Sequence, residues 1–172
     1  MERRLVLGLC AMGMLGLSLP AGDAVAQQKK LSIQLIGTWT LISNVNVKKD
    51  GTTFEPFGAN PKGILTFDAR NHFSLILVRP GRPKFASNNR LQATPQEERD
   101  TVQNTLSLFG TYSVNDADKT FMLQVDGSSF PNWEGSARKY MIESLTGDDL
   151  KYRSPPTSTG AGYAELTWKR VS

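Results

Sequence analysis

The 172-residue chain has one cysteine and one histidine. Cys10 lies inside an apolar N-terminal run and His72 in a turn, so no cluster of His, Cys and carboxylates is available to zinc. A Ser-His-Asp arrangement would have a single base, in an unpromising place. No Gly-rich phosphate loop is present. The paired acids are poorly set for glycoside hydrolysis: Asp148-Asp149 falls in a turn, and Glu97-Glu98 opens a helix. Basic residues are thinly spread at a net charge of +4, without the concentrated stripe that nucleic acid needs. No segment after the N-terminal run approaches the length of a membrane span. The expectation is therefore no metal, no cofactor and no nucleic-acid partner, and the sequence designates no catalytic residue.

The N-terminus reads as an address. Arg3-Arg4 precedes an apolar run over residues 5–19, and Ala24-Val25-Ala26 is a small-residue cleavage pattern. Residues 1–26 are expected to be a cleaved signal peptide, a retained anchor being the competing reading. Cys10 lies within the run and not at its end, which makes it a poor lipidation site. Residues 27–172 then form one cysteine-free domain, exported to the periplasm or secreted, with no membrane span and a monomeric state expected.

What the chain does have is alternation. Over residues 35–47, Leu35, Trp39, Leu41, Val45 and Val47 share one face, and Thr38, Thr40, Asn44 and Asn46 the other, the period of a half-buried strand. Gly37 interrupts the apolar face, where a missing side chain marks a bend or a close backbone approach. A matching strand over 163–171 puts Leu166, Trp168 and Arg170 together. Between them, 63–67 and 73–78 read as a hairpin, and the Pro- and Gly-rich 54–61 as a loop or bulged edge. Strands over 109–114, 120–125, 137–145 and 150–153 follow, joined by Asn-, Asp- and Gly-rich turns. One helix is expected: Thr94 caps it, Pro95 takes its first position and Glu97 completes a capping box, and it should run to about Leu108. The fold class is all-β, about eight antiparallel strands in an up-and-down barrel with one short helix in the loop after the third strand; a sandwich is the alternative. Pairing of the first and last strands would close the barrel.

Gly37-Thr38-Trp39 resembles the Gly-x-Trp of lipocalins, and Arg170 resembles the arginine that packs over that tryptophan. More specifically the chain resembles the bacterial lipocalin-like domain family. Residues 35–39, 56–58, 109–112 and 130–135 carry the likeness, with Arg79-Pro80-Gly81-Arg82 and Leu150 fitting it too. The resemblance implies a small antiparallel barrel around a ligand-sized cavity. In one respect the chain departs from it: where relatives place a histidine on the strand before the Pro-Asn-Trp loop, residues 121–125 have none, so any role of that histidine does not carry over.

Trp39 and Arg170 are expected to be structural, a cation stacked on an indole to plug the barrel and tie its two ends. Trp133, beside Pro131, Asn132 and Gly135, either plugs the core or lines the cavity mouth. Arg138 and Tyr140 share the more apolar face of their strand with Ile142; if that face is inward, Arg138 needs an internal carboxylate or an anionic ligand. Tyr112 is core or ligand contact, and Arg79 begins a cationic loop that is either solvated or an anion collar. The candidate ligand contacts are thus Trp133, Arg138, Tyr140, Tyr112, Asn132 and Arg79. The function expected is binding of a small apolar or amphipathic molecule inside the barrel. An isomerase, cyclase or hydratase in the same cavity, or an exported protein-binding or inhibitor module, are the alternatives.

Overall fold

The computed structural model describes residues 30–171, so the expected signal peptide lies outside the described residues. A one-turn helix α1 (Leu31–Leu35) leads into β1 (Gly37–Val47), a two-residue β2 (Thr53–Phe54), β3 (Lys62–Phe67) and β4 (His72–Val78). Helix α2 (Pro95–Gln103) comes next, then β5 (Thr105–Asn115), β6 (Thr120–Ser128), β7 (Ala137–Leu145), β8 (Asp149–Arg153) and β9 (Tyr163–Arg170). All pairings are antiparallel: β1 pairs with β2 and β3, the strands from β3 to β9 pair in chain order, and β1 also pairs with β9. Eight strands therefore close a barrel, with β2 a short flank on β1.

The capping box at α2 forms as the sequence signals: Thr94 Oγ1 accepts from Glu97 N, and Glu97 takes the Thr94 N–H. The helix stops at Gln103, not near Leu108. Residues 105–108 pair with β4, Thr105 opposite Val78 and Leu108 opposite Leu75, and that ladder buries Leu108. An alternating Leu-x-Leu beside a free sheet edge gains more from the ladder than from another helical turn.

The barrel's closed end is built on Gly-x-Trp. Trp39 is fully buried, pairs with Arg170 across the β1–β9 seam and donates Nε1–H to Leu35 O at 3.0 Å. The Arg170 guanidinium carbon lies 4.0 Å from the indole centre. It donates Nη1–H to Ile36 O at 2.8 Å, Nη2–H to Gln34 O at 2.6 Å and Nε–H to Gly147 O. Gly37 adopts φ +139°, and a Cβ there would overlap Arg170 Nη1. The glycine thus makes room for the arginine.

Above this plug, rings fill the lower barrel. Phe67 meets Tyr112 at 4.8 Å and Phe121 at 5.6 Å; Phe121 stacks on Tyr140 at 4.9 Å; Tyr152 meets Tyr140 edge-on at 5.4 Å and lies over Trp168 at 6.3 Å. Edge-on and stacked pairs at these spacings are each worth about 1 kcal/mol beyond burial.

One bulge alters what faces inward. The β1–β9 register shifts between Leu41 and Ser43. Before it, Trp39 and Leu41 are buried; after it, Asn44 and Asn46 are buried, and Val45 and Val47 are only partly covered. Strict alternation places the asparagines outside, and the extra residue reverses the faces.

Candidate functional site

The upper barrel is open. A cavity of about 480 Å³ lies inside it, within the size range of small-molecule sites. Its wall is largely apolar: Leu75 and Leu77 of β4, Leu106 and Leu108 of β5, Ala164 and Leu166 of β9. Its rim comes from loops: Pro56 and Phe57 after β2, Arg79 after β4, Val102 to Asn104 at the end of α2, Phe130 and Trp133 after β6, and Thr157 to Thr159 before β9. Polar groups reach it from strands, with Asn44 and Asn46 on β1, Thr105 on β5, Arg138 and Tyr140 on β7 and Tyr152 on β8, and the rim loops add more, among them Arg79, Asn104 and Ser154.

Trp133 is fixed by its local sequence. Pro131 starts a 3-10 turn, closed by Trp133 N–H to Phe130 O at 3.0 Å, and Phe130 packs edge-on against the indole at 5.5 Å. Ser136 Oγ donates to Trp133 O at 2.6 Å. Half-buried, the indole packs against the core and lines the cavity, so it takes both of the roles open to it.

Arg138 opens the inward face of β7. Tyr140 and Ile142 on that face are each 5% exposed, whereas Met141 is 56% exposed. Arg138 lies flat on Trp133, its guanidinium carbon 3.6 Å from the ring centre, and donates Nη2–H to Pro156 O at 2.7 Å. Its Nε is buried without a partner, and it forms no ion pair with a described residue. A cation on a cavity wall with no carboxylate beside it is a ready partner for an anionic or strongly polar group.

The two phenols here stay neutral. Burial pushes Tyr152 well above its ordinary value of 10.0, helped by the neighbouring Tyr140. Tyr140 is also raised by burial, with the nearby Arg138 pulling partly the other way. Both are donors and acceptors at neutral pH, not bases.

Four of the six candidate contacts therefore line one cavity: Trp133, Arg138, Tyr140 and Arg79. Tyr112 and Asn132 are elsewhere. Tyr112 packs on Phe67 in the closed half and donates its hydroxyl to Asp68 O at 2.9 Å. Asn132 is exposed on the 3-10 turn. Tyr152, Asn44 and Asn46 are wall residues that sequence reasoning did not single out. Tyr152 sits on an expected strand, with Leu150 on the same face, and alternation there could have found it. The asparagines could not be found that way, because the bulge left no mark in the pattern. His72 lies in the β3–β4 turn, with Nδ1 3.2 Å from Asp68 Oδ2, and does not line the cavity. No group of three metal-ligating side chains occurs among the described residues, and no helix among them is long and apolar enough to cross a membrane.

A 4'-hydroxy-3'-methoxypropiophenone carrier protein of Aspergillus oryzae is 25% identical over 107 residues, covering 57% of this chain and 96% of the relative. Among solved structures, a redesigned β-barrel matches at TM-score 0.43 and 14% identity, covering 84% of this chain and 98% of that one. The family model of the lipocalin-like domain matches residues 36–171, nearly the whole of the described barrel. The chain belongs to the lipocalin-like domain family.

Proposed function

We propose that this protein is an exported, non-catalytic carrier that holds a small apolar or amphipathic molecule in the upper barrel. The observation that carries this reading is the cavity of about 480 Å³, with leucines of β4, β5 and β9 along its wall and polar groups on other strands and at its rim. Removing ligand hydrocarbon from water would drive binding at about 25 cal/mol per Å². Arg138, without a carboxylate partner, would orient an acidic or polar head group at the lip, with Arg79 near by. The fungal relative named as a carrier of an aromatic ketone supports the same kind of role.

Native mass spectrometry of protein isolated from its own host tests the carrier reading. A co-purified small molecule that Arg138→Ala releases is the expected result. A panel of acidic and neutral amphipaths that the wild-type protein does not bind would end the proposal. For export, the secreted or periplasmic protein is expected to begin at Gln27; a cytoplasmic product retaining Met1 would remove that part alone.

A further inference from the structure

Two asparagines enter the barrel from β1, and the fold treats them differently. Asn46, 2% exposed, donates Nδ2–H to Thr159 Oγ1 at 2.7 Å and to Thr157 Oγ1 at 3.4 Å. It thereby fastens the loop before β9 over the cavity. Asn44, 5% exposed and lining the same cavity, makes no side-chain hydrogen bond to any described residue. Its Oδ1 is sealed from solvent and has no donor.

A buried amide that no group satisfies costs stability, and an apolar side chain of similar size would not carry that cost. Its position is also specific. The Leu41–Ser43 bulge is what turns Asn44 inward, and without the shift it would face outward. Asn44 stands opposite Leu166, which in turn stands opposite Tyr152 in the aromatic layer. The fold therefore brings an amide with an unsatisfied Oδ1 to the inner part of a chamber that the Tyr140 and Tyr152 phenols also line.

We propose that Asn44 reads a hydroxyl or carbonyl oxygen on the inner end of the ligand. This deepens the carrier reading and rests on it. An amide suits a neutral oxygen, because it both donates and accepts and exchanges the two by a half-turn of χ2. A carboxylate at that depth would have no cation beside it; the cavity's cations are Arg138, on β7, three strands away round the barrel, and Arg79, at the rim in the loop after β4. The ligand is thus an elongated molecule, polar at both ends: a neutral oxygen inside, an acidic or strongly polar group at the lip, and a hydrocarbon body along Leu75, Leu77 and Leu108.

A matched pair of probes tests this, 6-hydroxy-2-naphthoic acid and 6-methyl-2-naphthoic acid. Dissociation constants are measured by fluorescence titration for the full chain and its Asn44→Leu, Asn44→Ala and Arg138→Ala variants. The wild-type preference for the hydroxy acid over the methyl acid is expected to fall about tenfold in both Asn44 variants. Arg138→Ala is expected to weaken both acids alike and leave that preference in place. Asn44→Ala carries the test if Asn44→Leu does not fold. An unchanged preference in the Asn44 variants, with both acids still bound, overturns the Asn44 assignment and leaves the carrier reading standing. Failure of the wild type to bind either acid overturns the assignment of a ligand polar at both ends, and the carrier reading falls with it if the panel of acidic and neutral amphipaths is not bound either.

Discussion

Arg138 lies face to face with Trp133, guanidinium carbon to ring centre 3.6 Å, at the lip of the cavity. The stack and the bond to Pro156 O hold the cation against the wall, so it meets a ligand already oriented. The two side chains should therefore act as one unit. Trp133→Ala is expected to weaken binding of an acidic amphipath by roughly tenfold, close to the loss from Arg138→Ala, and the double variant should lose little more. Titration of the three variants gives the coupling directly; losses that simply add would show that the stack does not position the cation.

Gly37 and Arg170 make a second dependent pair, at the closed end. The glycine has φ +139°, and any side chain there would run into the guanidinium that covers Trp39. Gly37→Ala is expected to destabilise the barrel by about 2 kcal/mol or more, seen as a lower urea midpoint with an unchanged slope. Adding Arg170→Ala should not restore stability, since it removes the overlap while keeping the backbone strain and losing three carbonyl contacts. A double variant as stable as the wild type would show that the plug contributes nothing.

The closed end was legible in the chain for a physical reason. Gly37, Trp39, Leu166, Trp168 and Arg170 lie on strands whose period of two is set by pleating alone, and short meander turns leave antiparallel neighbours as the simple topology. The cavity was half legible. Arg138 and Tyr140 follow their strand's alternation, which is enough to put both on its inner face. Alternation puts Asn44 and Asn46 outside because a bulge is one residue of register, and composition carries no trace of it. The end of α2 is not legible for a related reason: residues 105–108 join a ladder whose other strand, Leu75 to Val78, is far away in sequence, and no local rule sees that partner. Tyr112 stays open between core and ligand contact in the sequence, because alternation gives the face of a strand, not the height along the barrel at which a residue sits.

The β3–β4 turn should give the protein part of its acid sensitivity. Asp68 accepts from the backbone N–H groups of His72 and Arg70, both at 2.8 Å, and those bonds hold its carboxyl below the ordinary value of 3.8. A lowered carboxyl adds stability above the unfolded-state value and loses it as pH falls through the folded one. Asp68→Asn keeps an acceptor that does not titrate. Urea midpoints followed from about pH 6 to about pH 2 are expected to fall less steeply in Asp68→Asn than in the wild type. Parallel curves would mean that the turn's bonds are not linked to folding.

At the other end of the pH scale the relevant groups are the cavity phenols. Tyr152 is raised well above 10.0 and Tyr140 is raised as well, both mainly by burial. For a group whose folded value is raised, the stabilising difference is fully present below the unfolded value and is lost as pH climbs through the folded one. An ionised phenol at either position would be buried among the rings of Phe121 and Trp168, so unfolding, which hydrates it, becomes the cheaper route to deprotonation. Tyr152→Phe removes the larger of the two effects and keeps the ring. It is expected to leave the denaturation midpoint at about pH 7 nearly unchanged and to raise it relative to the wild type at about pH 11. Tyr140→Phe should act in the same direction and less strongly, because Arg138 already favours its ionised form. If neither variant resists alkali better than the wild type, the phenols are reached by solvent in the folded protein, and the aromatic layer does not close the cavity's inner end.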